Sequence, residues 1–171
     1  QQGKYDGVAF HRVIKDFMAQ TGDVENGNLN SNYDFKRAGM GGSNLPDLRE
    51  EFNNISHDRG VVSMARASNP NSANSQFFIM LKDGPFLDGQ YTVFGKVISG
   101  MEYVDKIKLG KGKNGAVKNP DRIVSMKIMS DEIAEKPKKK KPIESPDDDK
   151  IVPAASGSGF FVFNSGDIIT N

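Results

Sequence analysis

One arginine stands among residues that could do chemistry with it. In Phe10-His11-Arg12-Val13-Ile14, residues 10, 12 and 14 alternate with 11 and 13, a two-residue period that suits a strand. Lys15-Asp16 reads as a tight turn and Phe17-Met18-Ala19-Gln20 as the returning strand. That pairing brings a permanently charged guanidinium close to the large apolar side chains of Phe17 and Met18. An Arg beside an apolar shelf can hold a ligand that is apolar at one end and carries a carbonyl at the other. The same stretch also suits an Arg whose stem packs on a strand while its head stays in water. The stretch alone leaves both open.

Other chemistries find little support. There is no Cys, which excludes disulfides, thiolate metal sites and Cys nucleophiles. The two histidines, His11 and His57, lie far apart in sequence and neither sits in a ligand-spaced motif, so no metal and no cofactor is expected. No Ser/His/Asp set is suggested by local context. No glycine-rich loop opens a helix, which argues against phosphate binding. The formal net charge of +1 offers no global field toward nucleic acid or an anionic membrane. No apolar run approaches the roughly 18 residues of a membrane helix.

The elements that must position Arg12 are short strands. Val8–Ile14 and Phe17–Thr21 come first. Residues 24 to 47, rich in Asn, Gly, Ser and Asp, form a long loop into Met40-Gly41-Gly42-Ser43, where glycines let a backbone approach a ligand. Residues 24 to 38 are expected to be plain surface loop. Leu48–Phe52 is a short helical or strand-like piece. Gly60–Arg66, Gln76–Leu81 and Thr92–Ile98 read as strands. Met101, Val104 and Ile107 recur every three residues, which predicts a short amphipathic helix over 100–108. Arg122–Met129 alternates as a final strand. Many short strands and little helix predict a mainly β barrel or sandwich.

From residue 132 to 150 the composition changes to charge and proline. Lys138 to Lys141 invites a nucleic-acid or lipid partner, but six Lys (136, 138, 139, 140, 141, 150) face six acids (132, 135, 144, 147, 148, 149), so a self-neutralised linker is expected. Residues 151–171 then read as strand, turn and strand around Asn164-Ser165-Gly166.

Four segments together resemble the cyclophilin family of peptidyl-prolyl isomerases. They are Phe10–Ile14 with Phe17–Asp23, Ser63–Ala67, Asn74–Ile79 and Phe86–Val97, in the family's order and spacing across about residues 3 to 129. The long loop ending in Met40–Ser43 looks like the bacterial branch. The resemblance implies an antiparallel β-barrel with little helix, an isomerase of X–Pro bonds, and a catalytic role for Arg12. It implies that Phe17, Met18, Phe78 and Leu87 wall a proline pocket. Gln20 and the Arg66 backbone match groups that hold the substrate main chain. Gln76 matches a residue that orients the Arg, and Ala65 and Ala67 line the neighbouring groove. Phe86 stands where many eukaryotic members carry Trp and Tyr91 where they carry His, so cyclosporin-like ligands are expected to bind only weakly. Arg66 replaces their Asn, a change that a backbone contact would survive. The implied partners are proline-containing polypeptides, with no nucleic acid and no membrane.

The family's opening hairpin and helix precede the segment matching Gln1–Tyr5. The domain over 1–131 is therefore expected to be a barrel incomplete at its N-terminus, in a fragment of a longer product or one that closes its sheet by other means. Residues 151–171 resemble the opening hairpin of a trypsin-like or HtrA-like serine protease, or the family's missing first hairpin in a circular permutation. A protease fusion would favour the periplasm over the cytoplasm. It would also suit a proline-peptide binding module with little turnover.

Overall fold

A computed structural model describes residues 3–31 and 33–127. The expected linker over 132–150, the hairpin over 151–171 and the end of the final strand lie outside the described residues.

Five short strands form one antiparallel sheet. They are β1 (Arg12–Ile14), β2 (Met18–Thr21), β3 (Val61–Met64), β4 (Phe77–Met80) and β5 (Val93–Lys96), in the spatial order β1-β2-β4-β3-β5. A 3-10 turn, Pro85–Leu87, and a single helical turn, α1 (Met101–Val104), complete the regular structure of the described residues. The architecture is mainly β with little helix, as the residue pattern predicts.

Register decides what each face carries. Arg12 pairs with Gln20, Gln20 with Phe78, and Phe78 with Ser63. Side chains directly opposite on paired strands share a face, so these four form one row across four strands. The next row, Val13, Ala19, Ile79 and Val62, points the other way. It joins Phe10, Phe77, Val104 and Ile107 in a buried core. Met18, Met80, Val61, Phe78 and Leu87 form a second cluster on the site face. A one-residue slip would exchange the two sets and turn Arg12 and Gln20 into the core, which opposes it.

Several elements are shorter than their sequence pattern. Phe17 belongs to the β1–β2 turn, where Asp16 takes the left-handed backbone (φ 57°). Val8 and Ala9 contribute only isolated bridges, to Asn28 and Arg122. Residues 48–52 are neither helix nor strand, and Leu48 alone bridges to Ala73. The expected final strand is reduced, among the described residues, to the Ala9–Arg122 bridge and backbone bonds of Ile123 with Gly7 and Val8. The helix predicted over 100–108 stops after one turn. Beyond Val104 the bonds tighten to i→i+3, and the Asp121 carboxylate takes the Lys108 N–H at 2.7 Å.

Residues 24–31 and 33–38 are largely exposed or half-buried loop, as expected, but the loop is anchored at both ends on one buried side chain. Asp23 is fully buried, and its two oxygens accept the N–H groups of Glu25, Asn26, Gly39 and Gly41 at 2.7–3.1 Å. A buried carboxylate needs such donors, and here they fold the loop so that Gly39–Gly41 lie beside the sheet.

Candidate active site

The β1–β2 hairpin aims Arg12 along the site face, and three contacts fix it there. Its Nε donates to the Asn114 carbonyl at 2.9 Å and its Nη1 to Gln20 Oε1 at 3.1 Å, with Met18 Sδ 4.0 Å from Nη1. Nη2 has no partner among the described residues. Burial lowers the Arg12 pKa below its ordinary value, and the nearby Tyr91 opposes that shift. Arginine remains charged under such perturbation.

Gln20 is itself held. Its Nε2 donates to Gln76 Oε1 at 2.9 Å, and Gln76 Nε2 donates to the carbonyls of Gly39 (3.0 Å) and Gly41 (2.7 Å). A relay thus runs from the loop backbone through two amides to the guanidinium. Because both amide orientations are fixed by their partners, the acceptor facing Arg12 is set in advance. Gln76 is linked to the arginine through Gln20 and makes no hydrogen bond to it.

Around the guanidinium lies a cavity of about 110 Å³ lined by Arg12, Phe17, Met18, Gln20, Ala65, Arg66, Phe78, Leu87 and Tyr91. Nine of the twelve residues singled out in the sequence meet there. Ala67 and Gln76 line an adjoining groove of about 410 Å³ together with Gln20, Ala65 and Arg66. Phe86 is 63% exposed at the rim, its ring 5.5 Å from that of Phe17. A larger cavity of about 800 Å³, bordered by Leu48, Ile55, Val61 and Val93, contains none of the twelve.

The walls brace one another. Tyr91 meets Phe78 edge-on at 5.7 Å, and the Arg66 guanidinium sits 4.5 Å above the Tyr91 ring. Arg66 Nε and Nη2 also donate to the Gln90 carbonyl at 3.1 and 2.8 Å. The Arg66 head is thus tied to the loop that carries Tyr91.

Two features escaped the sequence. Asn114 belongs to a Gly/Lys/Asn loop with no chemical signal, yet its carbonyl anchors Arg12. Ser63, His57 and Asp88 form a hydrogen-bonded chain: His57 Nδ1 lies 2.9 Å from Asp88 Oδ1 and Nε2 lies 3.2 Å from Ser63 Oγ. Their separation along the chain hid it. Ser63 is fully buried and donates to the Thr92 carbonyl at 2.8 Å, so it offers no nucleophile to a substrate.

A family model described as cyclophilin type peptidyl-prolyl cis-trans isomerase matches residues 1–128. The chain belongs to this family. A probable peptidyl-prolyl cis-trans isomerase of Brucella abortus is 63% identical over 132 residues, covering 77% of this chain and 67% of that protein. A peptidyl-prolyl cis-trans isomerase of Acinetobacter baylyi is 42% identical over 137 residues, covering 74% of this chain and 67% of that protein. The crystal structure of a cyclophilin from Hirschia baltica superposes with a TM-score of 0.57 at 26% identity, over 72% of this cyclophilin chain and 59% of that one. The match thus spans about two thirds of the named relatives' length. Peptidyl-prolyl cis-trans isomerisation is the activity that the family and these named relatives carry.

Proposed function

We propose that this cyclophilin isomerises X–Pro bonds of flexible polypeptides, with Arg12 as the catalytic residue. The supporting observation is a guanidinium held by Asn114 and Gln20 at the edge of a cavity walled on one side by Phe17, Met18, Phe78 and Leu87, with Nη2 free to meet a substrate.

The reaction needs no bond to break. Rotation about the X–Pro bond is slow because its C–N bond is partly double, with a barrier of roughly 18–20 kcal/mol. At the top of the barrier the amide is twisted and the proline nitrogen regains its lone pair. A donor fixed beside that nitrogen binds the twisted form better than either planar form, and only such differential binding raises the rate. Phe17, Met18, Phe78 and Leu87 take the proline ring. They hold it still while the preceding carbonyl turns, with Gln20 and the Arg66 backbone beside the substrate main chain. Arg12 is already oriented, so the donor requires no reorganisation in the twisted state.

A protease-coupled assay on a proline-containing peptide tests this. Arg12→Ala should lower kcat/KM by on the order of 10²–10³, the usual cost of removing one preorganised donor. Unchanged activity in a folded Arg12→Ala variant would refute the assignment.

A further inference from the structure

His57 does not line the cavity, yet it contacts three of the segments behind its walls: β3, β4 and the turn that carries Leu87. Its side chain is fully buried. From one end, Nδ1 and the backbone N–H both meet Asp88 Oδ1, at 2.9 and 2.8 Å. From the other, Nε2 faces Ser63 on β3 at 3.2 Å. Its ring stacks on Phe78 of β4 with 6.3 Å between centroids and 17° between planes. Its carbonyl accepts the Gly84 N–H at 2.9 Å, immediately before the 3-10 turn that carries Leu87.

Three walls therefore meet at one histidine, two of them partly through its ring. Phe78 is pressed from behind by the ring. Leu87 and Tyr91 lie on the segment that Asp88 and Gly84 pin to His57. Arg12 is fixed separately, through Asn114 and Gln20.

We propose that His57 is a positioning residue for the proline ring: it sets the Phe78 and Leu87–Tyr91 walls, and so makes the site prefer a cyclic to an acyclic tertiary amide. This rests on the reading of the cavity as an X–Pro isomerase site. The hydrogen-bond pattern also defines which substitutions should act. Asp88 is 35% exposed on its side chain, so its replacement leaves the core filled. Asparagine at 88 keeps an acceptor oxygen for His57, and alanine does not.

The experiment compares two peptides that differ only in carrying proline or N-methylalanine after the rotating bond. Both are tertiary amides, and only one has the ring. Exchange rates measured by NMR give kcat/KM for each with wild type, His57→Asn, Asp88→Ala and Asp88→Asn. In His57→Asn and Asp88→Ala the proline-to-N-methylalanine ratio should fall by roughly tenfold, since small misplacements of positioning groups cost this much or more. The loss should fall mainly on KM, because Arg12 still faces the twisted nitrogen. Asp88→Asn should keep the ratio within about twofold of wild type by restoring the acceptor. A purely structural role would reduce both peptides alike and leave the ratio unmoved, which overturns the proposal. If His57→Asn fails to fold, Asp88→Ala decides alone. Wild type inactive on both peptides would overturn the isomerase reading and this role with it. Activity abolished by Arg12→Ala, with the ratio intact in the 57 and 88 variants, would overturn this role only.

Discussion

Arg12 Nη1 lies 3.1 Å from Gln20 Oε1, and the two residues are direct cross-strand partners in the β1–β2 hairpin. The guanidinium is thus aimed by register and not by a long flexible reach. The same group spans a second acceptor, the Asn114 carbonyl, 2.9 Å from Nε. Arg12→Lys keeps the charge but loses the planar fork that reaches both acceptors at once. A point ammonium can serve one of them or the substrate. In the coupled assay Arg12→Lys should therefore recover no more than about a tenth of wild-type kcat/KM. Recovery close to wild type would mean that charge alone, without orientation, suffices.

The hairpin was legible because residues 10–14 and 17–20 suit strands on either side of Lys15-Asp16, and a tight turn there fixes the register. The row Arg12, Gln20, Phe78 and Ser63 follows from that register once the strands pair. The grouping of distant segments was legible only through the family resemblance, since periodicity says nothing of which strand lies beside which. The roles of Asn114 and Asp23 were not legible at all. One acts through its backbone carbonyl, which every residue possesses, and the other organises a loop by accepting four N–H groups from afar. The chain of Ser63, His57 and Asp88 was hidden for a related reason. Its members sit on β3, in the segment before it, and in the turn after β4, and no local spacing marks them.

Gln76 should matter to catalysis without touching the substrate-facing cavity. It accepts from Gln20 and donates to two loop carbonyls, so Gln76→Ala frees the Gln20 amide to rotate and strands the Gly39 and Gly41 carbonyls. Activity should fall by roughly 10- to 100-fold through misorientation of Arg12. Chemical denaturation should show a stability loss of about 1–3 kcal/mol for the unsatisfied partners. A full stability loss with undiminished kcat/KM would show that the relay braces the loop but does not aim the arginine.

Phe86 stands at the rim, 63% exposed and tilted against Phe17. Its ring supplies apolar area but no hydrogen-bond donor. Phe86→Trp adds an indole N–H and more contact area at a position that packs on the cavity wall. Titration calorimetry with cyclosporin should show tighter binding in Phe86→Trp by roughly 10-fold, about one hydrogen bond to a neutral acceptor. Turnover should change little, because Arg12, Gln20 and Phe78 are untouched. Unaltered affinity would show that the rim does not limit binding of such ligands.

His11 gives the fold a pH dependence of known sign. Its side chain is buried between the sheet and the 24–41 loop, where a Cβ on Gly39 would come within 2.9 Å of the imidazole. Neither ring nitrogen has a hydrogen-bond partner among the described residues. Burial lowers the His11 pKa below its ordinary 6.5, outweighing the opposite pull of the Asp23 carboxylate. The unfolded chain therefore takes up the proton first, and stability is complete above about 6.5 and declines as pH falls toward the folded value. Asp88 and Asp105 have lowered pKa values, held by hydrogen bonds from His57 and Arg59. Their contributions are lost only in stronger acid, below the ordinary carboxylate value of 3.8. Denaturant melts between pH 7.5 and 5 should accordingly show midpoints that fall with pH. His11→Gln, which cannot take up the proton, should flatten that slope while leaving the acid limb in place. A wild-type midpoint that rises on acidification over this range would mean that the folded protein binds the proton more tightly, and that Asp23 outweighs burial.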